Sequence, residues 1–488
     1  MRPLPIVAAI LLPCLACSEG RAVDAVLTWN ALLLDTVRGN NSPPTLSSRN
    51  LAILHTAIYD SVNSIERTHQ PYRHLLDPAQ PVSTDAAVYG AAHAVLVILH
   101  PQSRGAFDLE YQAFLNSTPA TSARANGLAL GNLIGLLTVD SRSGDGATTQ
   151  VPYIPSEAPG HWRRTPPDYR PPLDPHWRYV DAFCLPDLEP YVVPPPPDLA
   201  SPAYADEVHQ VHSLGALLGS TRTPEQSQIA VFWSDFNYTA TPPGHWQEIA
   251  TGLSTNFGLS LAENARLSAL LSLAQADAAI VTWEGKYRHN FWRPITAIHR
   301  ADEDSNAATL PDTNWNSYLT SPPFPEYPSG HSSFSRASAT VLAAYYGTDT
   351  LSFDATSDSL PGIVRSFTSL SACADEVGMS RIYGGIHFMS ANVAGKASGA
   401  EVGRYVVENF LLPNDQLPLL RWEKVAGGPL QLRVHGYIGS TCVVEASPDL
   451  HNWNGVFTNI AVVGGFTYAP SLSAMGGRFF RIREEQYP

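Results

Sequence analysis

Three short segments of the chain carry the residue types that bind a small tetrahedral oxyanion. Such an anion needs positive charges and hydrogen-bond donors on several sides at once, and ammonium, guanidinium, hydroxyl and backbone amide groups supply them. Two histidines add one group able to bond the central atom and one able to move protons. The segments are KYRHNFWRP with Lys286 and Arg293, PSGH with Ser329, Gly330 and His331, and SRIYGGIH with Arg381 and His387.

The first segment places two cations about two helical turns apart. A helix over Leu261–Trp292 would project Lys286 and Arg293 from one face, and Pro294 would help to end it. Taken alone, a lysine and an arginine at this spacing are common and more often lie on a solvated helix face. Lys286 and Arg293 indicate an anion site only in combination with the other two segments.

The second and third segments supply a helix N-terminus and a glycine turn. Ser329 precedes an apolar, helix-compatible run, so it predicts an N-cap, and Gly330 lets the backbone approach an anion closely. Arg381 and His387 would lie on opposite faces of an ideal helix, but Gly384–Gly385 between them predict a turn that brings both side chains inward. We expect His387 to begin the next helix.

In this order, the segments resemble the divided signature of the superfamily that joins vanadium-dependent haloperoxidases with type 2 phosphatidic acid phosphatases. The resemblance covers about Val23 to Leu412 and favours the bacterial, chloroperoxidase-like haloperoxidases. It implies a vanadate cofactor with His387 as the vanadium ligand, at a site that phosphate can also occupy. The residues that it implies for the oxygens of the anion are Lys286, Arg293, Ser329, Gly330 and Arg381.

The same resemblance implies a reaction. Hydrogen peroxide would bind at the vanadate, His331 would accept a proton, and Lys286 would polarise the bound peroxide toward attack by chloride or bromide. Hypohalous acid or a halogenated small organic acceptor would be the product. The catalytic residues implied in this way are His331, Lys286 and His387.

Three further residues match positions of the haloperoxidase branch. Trp283 and Phe324 fall where fungal-type vanadium chloroperoxidases carry the aromatic residues that line the halide side of the pocket. Ordinary core packing is the alternative for both, because large aromatic side chains are usually buried. Asp235, in FWSDFNYTATPP, matches the family acid that pairs with the second arginine, here Arg381.

One position departs from the family pattern. Many members carry Asp four residues after the second histidine, where this chain has Ala391. A phosphatase whose histidine is a covalent nucleophile needs that carboxylate to fix the tautomer and stabilise the imidazolium, so Ala391 argues against phosphoryl transfer. A histidine ligand also needs an orienting partner, which Asn392 or a backbone carbonyl could supply.

Three classes of function therefore stay open. A vanadate-dependent haloperoxidase is the first. A secreted acid phosphatase is the second, because vanadate and phosphate are nearly isosteric and His387 with His331 could act as nucleophile and leaving-group acid. A non-catalytic anion-binding protein is the third, and it would show neither halogenation nor ester hydrolysis.

The composition is that of a globular, acidic chain. Its 488 residues are 44% hydrophobic and 15% charged, which is enough for one large core and a further small domain. The formal net charge of −14 excludes general nucleic-acid binding, because a phosphate backbone needs a basic face. No internal stretch has the length of an apolar membrane span, so we expect no integral membrane segment.

The N-terminal sequence MRPLPIVAAILLPCLACSEG has one arginine, a short apolar run and small residues. This pattern predicts a signal peptide over residues 1–20 and a secreted or periplasmic protein. A lipid anchor at Cys17 is the alternative, since the preceding residues partly match the lipoprotein pattern. Cys184, Cys373 and Cys442 stay in the body, an odd number that cannot pair completely.

The periodicity predicts a mainly α fold. We expect a helical-bundle, haloperoxidase-like core over residues 21–412 with a proline-rich arm between Val151 and Pro202, followed by a small antiparallel β domain over residues 413–488. The arm is expected to wrap on the bundle, with a mobile linker as the alternative. The predicted helices are Arg49–Ile65, Thr84–His100, Ser122–Val139, Pro224–Asp235, Leu261–Trp292, His331–Tyr346 and Asn392–Phe410.

Overall fold

The structure is a computed structural model that describes residues 24–424, 428–470 and 479–485. These residues form thirteen α-helices and eight short strands, which confirms the mainly α architecture. The expected signal peptide lies outside them. The helices are α1 Ala25–Asn40, α2 Pro44–Glu66, α3 Thr84–Leu99, α4 Arg104–Ser117, α5 Ser122–Asp140, α6 Pro202–Leu214, α7 Pro224–Phe232, α8 Thr241–Phe257, α9 Leu261–His289, α10 Pro294–His299, α11 Gly330–Tyr346, α12 Leu370–Tyr383 and α13 Met389–Asn409. The strands are β1 Phe353–Thr356, β2 Val364–Phe367, β3 Leu419–Lys424, β4 Leu430–His435, β5 Thr441–Ser447, β6 Asn454–Ile460, β7 Phe466–Tyr468 and β8 Phe479–Glu485.

Helix α9 is the central element of the helical body. Nearly every residue from Asn264 to Tyr287 is buried, as expected for a helix without a polar face. A capping box between Ser260 and Glu263 fixes the start of the helix. Helices α2, α11 and α13 pack against it, so α9 carries its C-terminal residues into the middle of the protein.

The end of α9 differs from the sequence prediction. Asn290 adopts a left-handed conformation with φ of 51° and ends the helix at His289. Arg293 follows in extended conformation at the N-cap position of α10, and Pro294 begins that helix instead of ending α9. The prediction that Lys286 and Arg293 share one helix face is therefore wrong.

Helices α11 and α13 approach each other closely at a glycine. A Cβ on Gly395 would lie 2.4 Å from the Ser329 carbonyl oxygen, so only glycine permits this separation. Ser329 is the N-cap of α11 and accepts a hydrogen bond from the backbone N–H of Ser332, as predicted. Helix α13 begins at Met389, so His387 lies just before it.

The proline-rich arm is docked on the helical body. The Asp277 carboxylate of α9 accepts hydrogen bonds from the backbone N–H groups of Phe183, Cys184 and Leu185, at 2.6, 2.8 and 3.0 Å. The Tyr287 hydroxyl donates to the Leu173 carbonyl at 2.6 Å. These contacts hold the arm across the C-terminal half of α9.

The C-terminal strands form two antiparallel three-stranded sheets, in the orders β3-β4-β7 and β6-β5-β8. Their shared core includes Leu432, Val434, Cys442 and Val444. The amide of Gln70 donates to the Gly436 carbonyl at 2.9 Å, which ties these strands to the helical body. Among the helices that the structure describes, none is long and apolar enough to cross a membrane.

Candidate active site

The structure brings the three sequence segments together at one buried place. Lys286 comes from the last turns of α9 and is fully buried. Its ammonium group donates to the backbone carbonyls of Pro325, Glu326 and Pro328, at 3.0, 3.0 and 2.5 Å. The loop before α11 therefore surrounds the ammonium group of α9, and three carbonyl dipoles stabilise its charge.

Arg293 joins the third segment to this loop. Its guanidinium group donates to the carbonyl of Phe324 at 2.9 Å and to the carbonyl of Ile386 at 2.8 Å. It also lies 3.2 Å from Nε2 of His387. A guanidinium group has no acceptor, so Nε2 of His387 must be the unprotonated nitrogen of the ring.

The other ring nitrogen of His387 contacts a residue that the sequence analysis did not single out. Nδ1 lies 2.7 Å from Oε1 of Glu326, and the backbone N–H of Phe388 donates to the same oxygen at 2.8 Å. Glu326 is completely buried. Because Nδ1 carries the proton and faces the Glu326 carboxyl group, the lone pair of Nε2 is directed away from Glu326 and toward Arg293. A ligand would take this lone pair in place of the Arg293 N–H.

Glu326 thus supplies the orienting carboxylate that Ala391 cannot. The expectation that Asn392 takes this part is wrong, since its Oδ1 accepts from the hydroxyl of Ser332 at 2.9 Å. The backbone carbonyl of Ala391 accepts from Ser329 N–H instead. The available sequence signal was a lone carboxylate within FPEYPSGH, an otherwise apolar, proline-rich loop next to a functional segment.

Arg381 approaches from the last turn of α12. One terminal nitrogen donates to the Trp233 carbonyl at 2.9 Å, whereas the buried Nε has no partner among the described groups. His331, in the first turn of α11, is partly exposed and has its Nε2 3.2 Å from the Ser234 carbonyl. A buried guanidinium N–H without a partner is costly, and an oxyanion would satisfy it.

Asp235 is placed differently from the expectation. Its carboxylate lies 3.1 Å from Nδ1 of His245, and it forms no ion pair with Arg381 in the part of the chain that the structure describes. Its negative charge still acts on the arginine, because it opposes the lowering of the pKa of Arg381. The predicted Asp235–Arg381 pair is therefore replaced by Asp235–His245.

Burial and mutual repulsion lower the pKa values of the cations and of the two histidines of the site. Desolvation and the charge of Arg293 hold the pKa of Lys286 well below its usual value. Desolvation lowers the pKa of Arg293 to about 10 and that of Arg381 to about 9. The pKa values of the two histidines also fall well below the ordinary value, mainly through burial, so both rings are neutral.

We call the cluster of buried or cavity-lining groups that faces the oxyanion site the cradle; its members are Lys286, Arg293, Ser329, Gly330, His331, Arg381 and His387. The cradle carries more buried cations than carboxylates. Burial raises the pKa of Glu326 to about 8 although Arg293 and Lys286 favour its ionised form. A bound anion would oppose the lowering of the pKa values of Lys286, Arg293 and Arg381, because it favours their charged forms. No cluster of histidine, cysteine and carboxylate groups suited to a bare metal ion exists among residues 24–424, 428–470 and 479–485. The donor set therefore fits a tetra-oxo anion such as vanadate or phosphate.

A cavity of about 340 Å³ leads to this cradle and is lined in part by Gly330, His331, Arg381 and His387. Lys286, Arg293 and Ser329 are fully buried behind its wall.

Trp283 and Phe324 line the same cavity, with ring centroids 5.2 Å apart. The centre of the Phe324 ring is 4.9 Å from Nζ of Lys286 and 4.9 Å from Cζ of Arg293. Trp283 is 1% exposed and also lines the cavity, so it is both a packed core residue and part of the pocket wall. The Phe236 ring, which the sequence analysis did not select, lies 5.5 Å from Cζ of Arg381 on another wall.

Comparison with known proteins gives the same picture. The family model of the VCPO second helical-bundle domain matches residues 266–413, which include all three segments. Vanadium chloroperoxidase of Curvularia inaequalis is 34% identical over 176 residues, a match that covers 31% of this chain and 29% of that protein. The chain thus matches less than a third of the length of this relative.

Solved structures extend the likeness over most of the chain. A bacterial vanadium-dependent iodoperoxidase superposes with a TM-score of 0.70 and 27% identity, covering 80% of this chain and 97% of the other. A holo-type bacterial vanadium-dependent chloroperoxidase gives a TM-score of 0.62 at 17% identity, over 75% of this chain and 92% of the other, a likeness of fold. The family-model match over residues 266–413 and the likeness of fold over most of the chain both show similarity to vanadium-dependent haloperoxidases.

Proposed function

We propose that the protein is a vanadate-dependent haloperoxidase, an oxidoreductase that uses hydrogen peroxide to oxidise a halide. The observation that supports this most is the neutral His387, whose Nε2 lone pair faces a cluster of buried cations while Glu326 fixes the proton on Nδ1. A histidine held in this way is suited to bond the centre of an oxyanion rather than to move a proton.

Each group of the cradle has a distinct part in this proposal. Arg293 and Arg381 would hold oxygens of vanadate, Arg381 through its unpartnered Nε, and Ser329 with Gly330 would present the N-terminus of α11 to it. Lys286 would add positive charge from behind the cavity wall. When bound, vanadate supplies a Lewis acid that activates peroxide.

His331 is the proposed proton acceptor. It lines the cavity, its ring is neutral because burial and Arg381 hold its pKa well below the usual value, and its Nε2 contact with the Ser234 carbonyl is long. A neutral imidazole at the cavity wall can take a proton from an entering peroxide. Solvent reaches it through the cavity and can carry that proton away.

Chloride or bromide is the proposed halide, with Trp283 and Phe324 forming its side of the pocket. The Phe324 ring lies over both Lys286 and Arg293, so an anion at its edge would feel their charge. The likeness to an iodoperoxidase adds iodide to the halides that need testing.

A secreted acid phosphatase stays the second candidate, and one observation favours it. The sequence argument against phosphoryl transfer depended on a missing carboxylate, but Glu326 contacts His387 at 2.7 Å. The tautomer that a histidine nucleophile requires is therefore present. The Trp283–Phe324 wall and the relatives found give haloperoxidase the preference.

A paired assay separates the two functions. Vanadate-loaded protein with peroxide and chloride, bromide or iodide should halogenate an organic acceptor, and the vanadate-free protein should not. Hydrolysis of a chromogenic phosphate monoester, inhibited by vanadate, would instead establish the phosphatase. His387→Ala should lose vanadate-dependent activity and keep its thermal unfolding, whereas His289→Ala, which removes a contact with the Val193 carbonyl outside the cradle, should keep both.

We further propose that the mature chain is secreted or periplasmic after removal of residues 1–20, which cell fractionation with N-terminal sequencing of the exported protein would test. The helical body over residues 21–412 is proposed to carry the reaction. For residues 413–488 we propose a stabilising part, supported by the contacts of Gln70 with Gly436 and of Asn409 with His435.

A further inference from the structure

The outer part of the cavity is apolar and faces the oxyanion cradle. Its walls come from the start of α2, the proline-rich arm and the loop before α11, and they include Pro43, Pro44, Pro171, Pro322 and Pro323. Trp283, Phe324 and Phe236 add aromatic surface. A volume of about 340 Å³ lies within the range of pockets that hold small organic ligands. A halide ion alone does not require such a space.

One cation of the arm lines this cavity without a partner. Arg170 forms no ion pair and no hydrogen bond with any residue that the structure describes. Two other arginines of the arm have carboxylate partners, Arg163 with Glu157 at 2.8 Å and Arg178 with Glu284 at 2.7 Å. An arginine fork left free at an apolar wall is suited to a planar carboxylate.

The other charged groups that line the cavity are either paired or lie at the oxyanion cradle. Asp235 is the carboxylate that lines the cavity, and it is paired with His245, whose pKa it raises against the effect of burial. Arg381, whose Nε is also without a partner, lies beside His387 at the cradle, where the proposed vanadate would use it. Arg170 is therefore the cation available to a ligand that occupies the outer, apolar part of the cavity.

We propose that the cavity binds an aromatic carboxylate, with the ring against the apolar wall and the carboxylate on Arg170, as the acceptor of the reaction. This inference rests on the proposed function for its chemistry. One aromatic C–H bond is replaced by a carbon–halogen bond, the halide loses two electrons and hydrogen peroxide gains them. With the proton released by the ring and one from solvent, the peroxide leaves as two water molecules. The halogen is thus transferred within the cavity.

The test compares two probes that differ at one group, 4-hydroxyphenylacetate and its uncharged amide. Equilibrium binding of each to the full, vanadate-free chain is measured by calorimetry for the wild type and for Arg170→Ala, Arg170→Lys and Arg164→Ala. Arg164 is an exposed arginine of the same arm that does not line the cavity, so it controls for net charge.

We expect Arg170→Ala to weaken binding of the acid about tenfold, to bring it to the level of the amide, and Arg170→Lys to restore part of the loss. Arg164→Ala should bind both probes as the wild type does. Equal binding of acid and amide by the wild type would overturn the inference. So would displacement of the acid by inorganic phosphate together with unchanged binding in Arg170→Ala, because the carboxylate would then occupy the cradle.

Turnover separates this inference from the proposed function. With vanadate, bromide and peroxide, the ratio of kcat/KM for acid over amide should fall about tenfold in Arg170→Ala and stay unchanged in Arg164→Ala. A changed KM for bromide with an unchanged ratio would mean that Arg170 attracts the halide, and would overturn the inference. Absence of halogenation by the wild type would contradict the proposed function, whereas selective loss of acid binding in Arg170→Ala would still support the carboxylate site.

Discussion

Substitution of Glu326 by Gln is the most specific test of how the cradle holds His387. The Oε1 of Glu326 accepts from both Nδ1 of His387 and the N–H of Phe388, and its buried Oε2 has no partner among the described groups. Glu326→Gln keeps an acceptor oxygen in the place of Oε1 and puts the amide nitrogen in the place of Oε2. The variant therefore keeps the shape and both hydrogen bonds, and removes the negative charge.

The expected loss follows from these two contacts. Each changes from a charge-assisted to a neutral hydrogen bond, a difference of about 1 kcal/mol, so His387 becomes a poorer ligand by about 1–3 kcal/mol in total. This corresponds to about a 10- to 100-fold lower affinity for vanadate, the range typical of groups that orient a metal-binding histidine.

For phosphate we do not expect Glu326→Gln to lower the affinity. Phosphate needs the cations of the cradle and no bond to His387, so removal of a neighbouring negative charge should leave its affinity unchanged or increase it. Equilibrium dialysis of vanadate and of phosphate at a pH between the pKa of about 8 of Glu326 and the pKa of about 9 of Arg381 measures both. The reasoning is refuted if the two affinities change in the same direction, or if vanadate affinity is unaffected.

Glu207→Gln is the matched control. Glu207 is a neighbouring carboxylate that raises the pKa of Glu326, but it bonds the backbone and hydroxyl of Ser390, at 2.7 and 2.8 Å, and not His387. Its amide variant should affect vanadate and phosphate alike and by a small factor. An equal loss of vanadate affinity in both variants would mean that orientation of His387 is not the cause.

Three further predictions concern stability. Burial raises the pKa of Glu326 from 4.5 to about 8, so ionising this group destabilises the folded state. The free energy of unfolding of the anion-free wild type, relative to that of Glu326→Gln, should therefore fall as the pH rises from 4.5 to about 8. Urea denaturation measures it. Asp277→Ala leaves the three N–H groups of the arm unpaired and should cost about 3 kcal/mol or more in the same measurement, with an unchanged value contradicting the docking. Gly395→Ala forces α13 away from the Ser329 carbonyl and should cost about 1–3 kcal/mol, which thermal unfolding measures, together with weaker phosphate binding; a variant as stable as the wild type would contradict the close packing.

The parts of the site that depend on local signals could be predicted from the sequence. Ser329 is the N-cap of α11 because a serine followed by an apolar helical run is a local signal. The double glycine after Arg381 predicted a turn, and α12 indeed ends at Tyr383, just before it. The proline-rich arm was recognised by composition, and its Trp177 and Tyr153 pack against α9.

The rest depends on tertiary contacts that local patterns do not encode. The left-handed Asn290 ends α9 although the helical periodicity continues, so Arg293 reaches the cradle from an extended segment. Glu326 and His387 are 61 residues apart, and neither carries a local sign of the other. Asp235 was assigned to Arg381 from the resemblance alone, whereas its carboxylate contacts His245. Helices α1, α4, α6, α8, α10 and α12 were not predicted, and α1 was missed although its buried Val26, Trp29, Leu33 and Val37 recur at helical spacing.

A crystal structure of the protein soaked with vanadate tests the central claim most directly, with vanadium located by its anomalous scattering. We expect one vanadium atom bonded to Nε2 of His387, with its oxygens contacting Arg293 and Arg381. A vanadium atom elsewhere, or none at His387 with the cradle intact, would contradict it.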